Sequence, residues 1–254
     1  MLQQLVARRL VTPPAIWGKL PRHADFVRSG LRHGESEGWQ AWLAQQGCVG
    51  REAHAARAPD AQPLPTAFVL PPATLPFAKR RFVVGVIAPT VDKVGRQHVL
   101  LVYHLAHARW LRQHFGDAAL APHDWLFWLA RTVARHTADL GEGSGSDIQA
   151  LDRAVRRLWP VHAPGVRQLW RRADVPAAGH AEREAAERRL LDQLNGAPPH
   201  KEAAAQLCGV RHLPWVDWPE RLYSPRGGGS FWQQDAQGGY VNAATRLPAL
   251  WGEA

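Results

Sequence analysis

Apolar residues recur along the chain with two different periods, and the switches between them divide it into elements. Thr66 to Leu70 (TAFVL) and Phe82 to Ala88 (FVVGVIA) are short apolar runs, the second rich in β-branched residues. A run that is apolar on both faces reads as a central strand covered on both sides. Pro89 is expected to end it. After the loop Thr90 to Arg96, His98 to Leu105 (HVLLVYHL) is a strand of the same type, and the two are predicted to pair as neighbours. Near the far end, Ser230-Phe231-Trp232 and Tyr240-Val241 each follow a glycine run and predict a hairpin.

Helical spacing dominates elsewhere. In Ser36 to Gln46, Trp39, Trp42 and Leu43 fall at i, i+3 and i+4, and Gly47 makes a natural stop. His123 to Leu140 places Trp125, Trp128, Leu129 and Val133 on one face, widened by Leu126 and Phe127. Asp147 is placed to cap a helix with Ile148, Leu151, Val155, Leu158 and Trp159 turned inward, and Pro160 is expected to terminate it. Ala178 to Leu194 carries only a narrow apolar stripe and predicts a surface helix. Ala15 to Asp25 reads as a short apolar lead-in and a loop around Pro21, and Arg51 to Pro65 has no period. Strands mixed with helices long enough to cover both sheet faces predict an α/β fold, a three-layer α/β/α sandwich with a mixed central sheet and several helices. Residues 1–14 are expected to form an N-terminal extension, and residues 15–254 a single domain.

Composition narrows the class. At 254 residues, 46% hydrophobic and 21% charged, the chain has material for a real core. Cys48 and Cys208 have no cysteine or histidine at ligand spacing, so no disulfide framework or zinc knuckle is expected. No run approaches the roughly 20 apolar residues of a spanning helix. The N-terminal MLQQLVARRL lacks the pattern of a secretory signal, so no membrane insertion and a cytoplasmic location are expected. The formal charge is +9 with a pI near 10.5. The arginines are dispersed, densest at Lys79-Arg80-Arg81, and no nucleic-acid motif accompanies them, so nucleic acid is not the expected partner.

Chemistry-bearing patterns are sparse. Gly18-Lys19 lacks the second glycine and the hydroxyl of a phosphate-binding loop. No nucleophile elbow occurs. His104 and His107 are three apart, but His104 falls in a predicted strand and no nearby carboxylate completes a metal site. No catalytic residue, cofactor or metal is expected. The 12 tryptophans are mainly core, while Trp215 and Trp218, in a Pro-flanked stretch, are either partner anchors or buried under a loop.

Two segments stand out as wholes. Trp17-Gly18-Lys19-Leu20-Pro21, followed by Asp25-Phe26-Val27, resembles the opening signature of the TagF/ImpM family, with Ala24 at the usual glycine. The family's next helix, Trp-x-x-Trp-Leu, is matched by Trp39, Trp42 and Leu43. Gly85-Val86-Ile87-Ala88-Pro89-Thr90-Val91-Asp92-Lys93-Val94-Gly95-Arg96 is similar to its second signature, with Thr90 in place of serine and His98 near a lost aromatic-proline pair. Ser230-Phe231-Trp232 with Leu247-Pro248 is similar to the family's end. The resemblance runs from about Ala15 to Trp251 and is weak between Gly116 and Leu213. It implies a cytoplasmic α/β/α protein without catalytic residues. It also implies a post-translational repressor of type VI secretion, acting with or through a forkhead-associated scaffold protein.

Within these segments Gly85 is expected to permit a close approach and Gly95 to serve a turn. Asp92 and Asp25 are expected to hold backbone amides, with Arg96 bonded to either carboxylate to tie the two loops together and Lys19 joining them; the alternative is that these charges form a recognition surface. Two other classes stay open: an enzyme of unfamiliar type using Asp25, Asp92 and Arg96, and a basic nucleic-acid-binding protein.

Overall fold

The computed structural model of the chain describes residues 10–21, 23, 25–48, 64–91, 96–115, 125–137, 147–162, 228–234 and 240–251. Strands β1 (Ala15–Gly18), β2 (Val27–Ser29), β3 (Thr66–Leu70), β4 (Phe82–Val91), β5 (Gln97–Ala106), β6 (Ser230–Gln234) and β7 (Tyr240–Ala244) form one sheet in the order β2-β1-β5-β4-β3-β6-β7. Around it lie α1 (Glu35–Gln45), α2 (Ala108–Phe115), α3 (Trp125–Thr137), α4 (Ile148–His162) and the short α5 (Pro248–Trp251).

Every described pairing is antiparallel, which corrects the expected mixed sheet. Parallel neighbours need a crossover that lands on the adjacent strand. The connection through α1 joins β2 to β3, four places along in the sheet, and α2, α3 and α4 all fall between β5 and β6.

The alternation of side chains divides the core between the two faces. On one face Ile16, Val69, Val84, Val86, Leu100 and Val102 join Trp110, the Trp125–Ala130 stretch, Leu151, Val155 and Leu158. On the other, Trp17, Phe68, Leu70, Val83, Ile87, Leu101 and Tyr103 join Trp39, Trp42 and Leu43 of α1, with Leu75, Leu247 and Leu250. This two-sided burial is what the continuous apolar runs of β4 and β5 predicted.

The β4–β5 and β6–β7 pairings follow the sequence expectation, and the inward residues of α3 and α4 are the expected ones. Asp147 Oδ1 accepts the Gln149 amide at 2.9 Å, as a cap should. Two prolines act differently from expectation. Pro89 does not end β4, which continues to Val91. The β3 pairing stops at Ile87, so among the described strands Pro89 is flanked only by β5, where a missing donor is tolerated. Pro160 lies in the last turn of α4, which runs on to His162.

Ala15–Gly18 is a strand, not merely a lead-in, and its pairing with β5 is prolonged backwards. Val11 bridges Ala106, the Thr12 amide donates to the Leu105 carbonyl at 2.9 Å, and the Leu105 amide donates to Thr12 Oγ1 at 2.9 Å. Val11 and Thr12, within the expected extension, are thus buried. The expected helix Ala178 to Leu194, the loop Arg51 to Pro65 (but for its last two residues), Trp215, Trp218 and Cys208 lie outside the described residues.

Candidate functional site

β1 ends at Gly18, whose φ is +133° and whose missing side chain leaves room for β5: a Cβ there would sit 2.1 Å from the Val99 carbonyl oxygen. Glycine alone meets both conditions. The next amide, Lys19, donates to that same carbonyl at 2.9 Å. The chain then turns through Leu20 and Pro21, with the His23 amide bonded to the Leu20 carbonyl at 3.2 Å.

The second signature meets the first at this end of the sheet. Thr90 Oγ1 donates to the Lys19 carbonyl at 3.0 Å in a buried bond. Serine, the family's residue here, carries the same hydroxyl. Phe26 stacks on Trp17 with ring centroids 5.3 Å apart and meets the His98 ring edge-on at 5.8 Å. The Lys19 ammonium lies 5.5 Å from the Phe26 centroid, although the residue as a whole is buried. Phe26 and Val91 are the large apolar side chains left exposed among the described residues, and both border this end. Asp25 and Arg96 are exposed beside it. Asp92 and Gly95 lie outside the described residues, and so does any Asp25–Asp92 distance.

The remaining motif residues sit elsewhere. Trp39 is fully buried, with its ring centroid 5.0 Å from Tyr103, 5.6 Å from Trp42 and 5.8 Å from Phe68. Trp232 is buried in β6 on the opposite face. Gly85 pairs with Tyr103, and a Cβ there would meet the Val102 carbonyl oxygen at 2.3 Å. The close approach expected of Gly85 is therefore made by the neighbouring strand itself.

Two buried polar side chains lie outside the signatures: Glu35, which no sequence expectation included, and His104, expected only as a strand residue. Glu35, at the start of α1, accepts the Tyr103 hydroxyl at 2.9 Å and the Arg32 amide at 3.0 Å through one carboxylate oxygen. Burial pushes the Tyr103 phenol well above its usual range, and the Glu35 charge adds to the effect. His104, next along β5, faces the other way. Its ring lies among Trp110, Trp125 and Trp159 at 5.1, 5.9 and 5.0 Å, and neither of its nitrogens has a hydrogen-bond partner. Burial lowers its pKa to about 3, so the ring is neutral. No group of three or more potential metal ligands exists among the described residues. No described helix is long and apolar enough to cross a membrane.

An antiparallel sheet with helices packed on it, whose two signature segments meet at one end, is an α/β protein. The sequence profile of the TagF N-terminal domain, type VI secretion system-associated, matches residues 15–158, more than half of the chain. The chain belongs to the TagF family, and its type VI secretion system association follows from that match. A crystal structure of PA0076 from Pseudomonas aeruginosa PAO1 is 18% identical, with 93% of this chain and 90% of that one covered and a TM-score of 0.45. No curated protein matches the chain significantly.

Proposed function

We propose that this chain is a non-enzymatic, cytoplasmic accessory protein of the type VI secretion system that represses secretion after translation by binding a component such as a forkhead-associated scaffold protein. The observation that carries the reading is the junction of the two family signatures, tied by the Thr90–Lys19 hydrogen bond and the Trp17–Phe26–His98 ring stack. Such a surface offers shape and charge without a nucleophile–base pair. A repressor of this kind acts by occupancy, shifting the population of its target in proportion to its own concentration and differential affinity. We read the architecture as three layers, with α1 and α5 on one face of the sheet and α2, α3 and α4 on the other, a reading supported by the two separate core clusters.

Overproduction in the native cell tests the function. Secretion falls while the levels of the apparatus proteins hold. Unaltered secretion with the protein abundant and soluble would sink the proposal. At the site itself, Arg96→Ala keeps the melting temperature and weakens repression. Repression by Arg96→Ala equal to that of the parent chain would remove Arg96 from the surface.

A further inference from the structure

The densest basic cluster of the sequence, Lys79-Arg80-Arg81, lies far from the signature loops. It immediately precedes Phe82, the first residue of β4, whereas the signatures meet beyond Val91, the last. Ten strand residues separate these ends by roughly 30 Å.

The loop carrying the cluster is built, not merely exposed. The Ala73 amide donates to the Ala78 carbonyl at 3.0 Å, Ala78 to Leu75 at 2.9 Å, and Arg81 to Ala78 at 3.3 Å. Leu75 and Ala78 are buried. Phe77 lies against Gly38 of α1 so closely that a Cβ on Gly38 would come within 2.7 Å of its ring. The loop is therefore pressed onto the first turns of α1, close to Arg32. Arg81 feels that proximity. Burial lowers the pKa of its guanidinium, and the charge of Arg32 lowers it further. Arg32, His33, Lys79 and Arg80 are exposed, and Lys79 and Arg80 form no ion pair among the described residues. Among the described residues the acidic side chains of that turn are Glu35, which is buried against Tyr103 and the Arg32 amide, and Glu37, which is exposed.

We propose that this basic corner is a second docking surface, which takes a carboxylate-rich acidic segment of a partner protein. Like charges held side by side by buried anchors lower the affinity of the corner for cations and raise it for anions. Guanidinium forks match carboxylates in bidentate geometry. Two consecutive exposed cations on one loop, Lys79 and Arg80, with Arg32 close by, suit a short acidic segment better than a nucleic-acid backbone, which demands a row of contacts along its length. The inference rests on the reading that the chain works by binding a partner protein.

The test compares two doubly reversed chains with the same net charge. Lys79→Glu with Arg80→Glu removes the corner, and Arg153→Glu with Arg157→Glu removes exposed charge from α4. Each change of four lowers the formal charge from +9 to +5. Binding of a fluorescent oligoglutamate peptide is measured at low salt, and a DNA duplex is titrated in parallel. The corner variant is expected to bind the peptide at least tenfold more weakly, with an unchanged melting temperature, while the α4 variant binds like the parent chain. Equal loss in both variants, or none in the corner variant, overturns the proposal. So does DNA binding that exceeds peptide binding and falls with the same corner variant. Capture from native cytosol separates the two ideas. If the parent chain retains no secretion component, the functional reading fails. If it retains one and the corner variant retains as much, only the corner proposal fails.

Discussion

Tyr103 and His104 are neighbours on β5 that point to opposite faces of the sheet, and both are polar, aromatic and almost wholly buried. Tyr103 has a partner: its hydroxyl is held by Glu35 beneath the start of α1. His104 has none, because the face it enters is covered by helices that offer indole rings. A buried hydrogen bond contributes modestly to stability, whereas an unmet donor or acceptor costs about 1–3 kcal/mol. One face of the sheet thus carries a satisfied polar anchor and the other a polar group tolerated for its shape.

The contrast is sharpest in acid. His104 titrates near 3 when folded, against 6.5 when exposed, so the unfolded chain binds the extra proton first. Stability is therefore fully present above pH 6.5 and is lost as pH falls toward 3, by as much as roughly 4 kcal/mol. His104→Leu is expected to flatten this dependence and to raise the melting temperature at neutral pH. Parallel pH profiles for the parent and the variant would defeat the account of His104.

Gly85 sets the position of the satisfied side. Gly85→Ala would drive a Cβ into the Val102 carbonyl and the Tyr103 backbone in a strand paired on both sides, and is expected to cost about 3 kcal/mol. Chemical denaturation measures it, and a midpoint close to that of the parent would show that the strands can part without loss.

Tyr103→Phe removes one of the two donors to the buried Glu35 carboxylate, for an expected loss of about 1–3 kcal/mol at neutral pH. The alkaline limb gives a second readout. A phenol whose pKa is raised by folding stabilises the fold below the usual tyrosine range, and that contribution disappears as pH climbs past it. The variant lacks this term, so alkaline melting curves of parent and variant should converge. Curves that stay equally spaced from neutral to strongly alkaline pH would count against it.

The smallest effect is expected at the sheet edge. Ser29 of β2 donates to Asp152 of α4 at 2.6 Å, and Arg156 binds the other carboxylate oxygen. Burial raises the Asp152 pKa, but the hydrogen bonds from Arg156 and Ser29 outweigh it and leave the group below its usual value. Because the bond is only part-buried and Arg156 continues to hold Asp152, Ser29→Ala should cost less than about 1 kcal/mol. A larger loss would mean that β2 depends on this tie to stay in the sheet.

Much of this molecule is local, and the sequence alone determined it. The continuous apolar runs of β3, β4 and β5, the hairpin at Ser230 and Tyr240, the apolar stripes of α1, α3 and α4, and the Asp147 cap follow from side-chain spacing over a few residues. The two signature segments were equally legible as motifs, while the close approaches of Gly18 and Gly85 and the bond of the Thr90 hydroxyl are made to backbone distant in sequence. Strand directions, the burial of Val11 and Thr12 along β5, the continuation of β4 through Pro89 and the short strand β2 were decided only in three dimensions. Each depends on which strand lies alongside, a contact between residues far apart in sequence (Val11 with Ala106, Thr66 with Gln233). The same holds for the fates of Tyr103 and His104. Spacing shows that both belong to a buried strand, but whether a carboxylate or an indole waits above each is set by where the helices land.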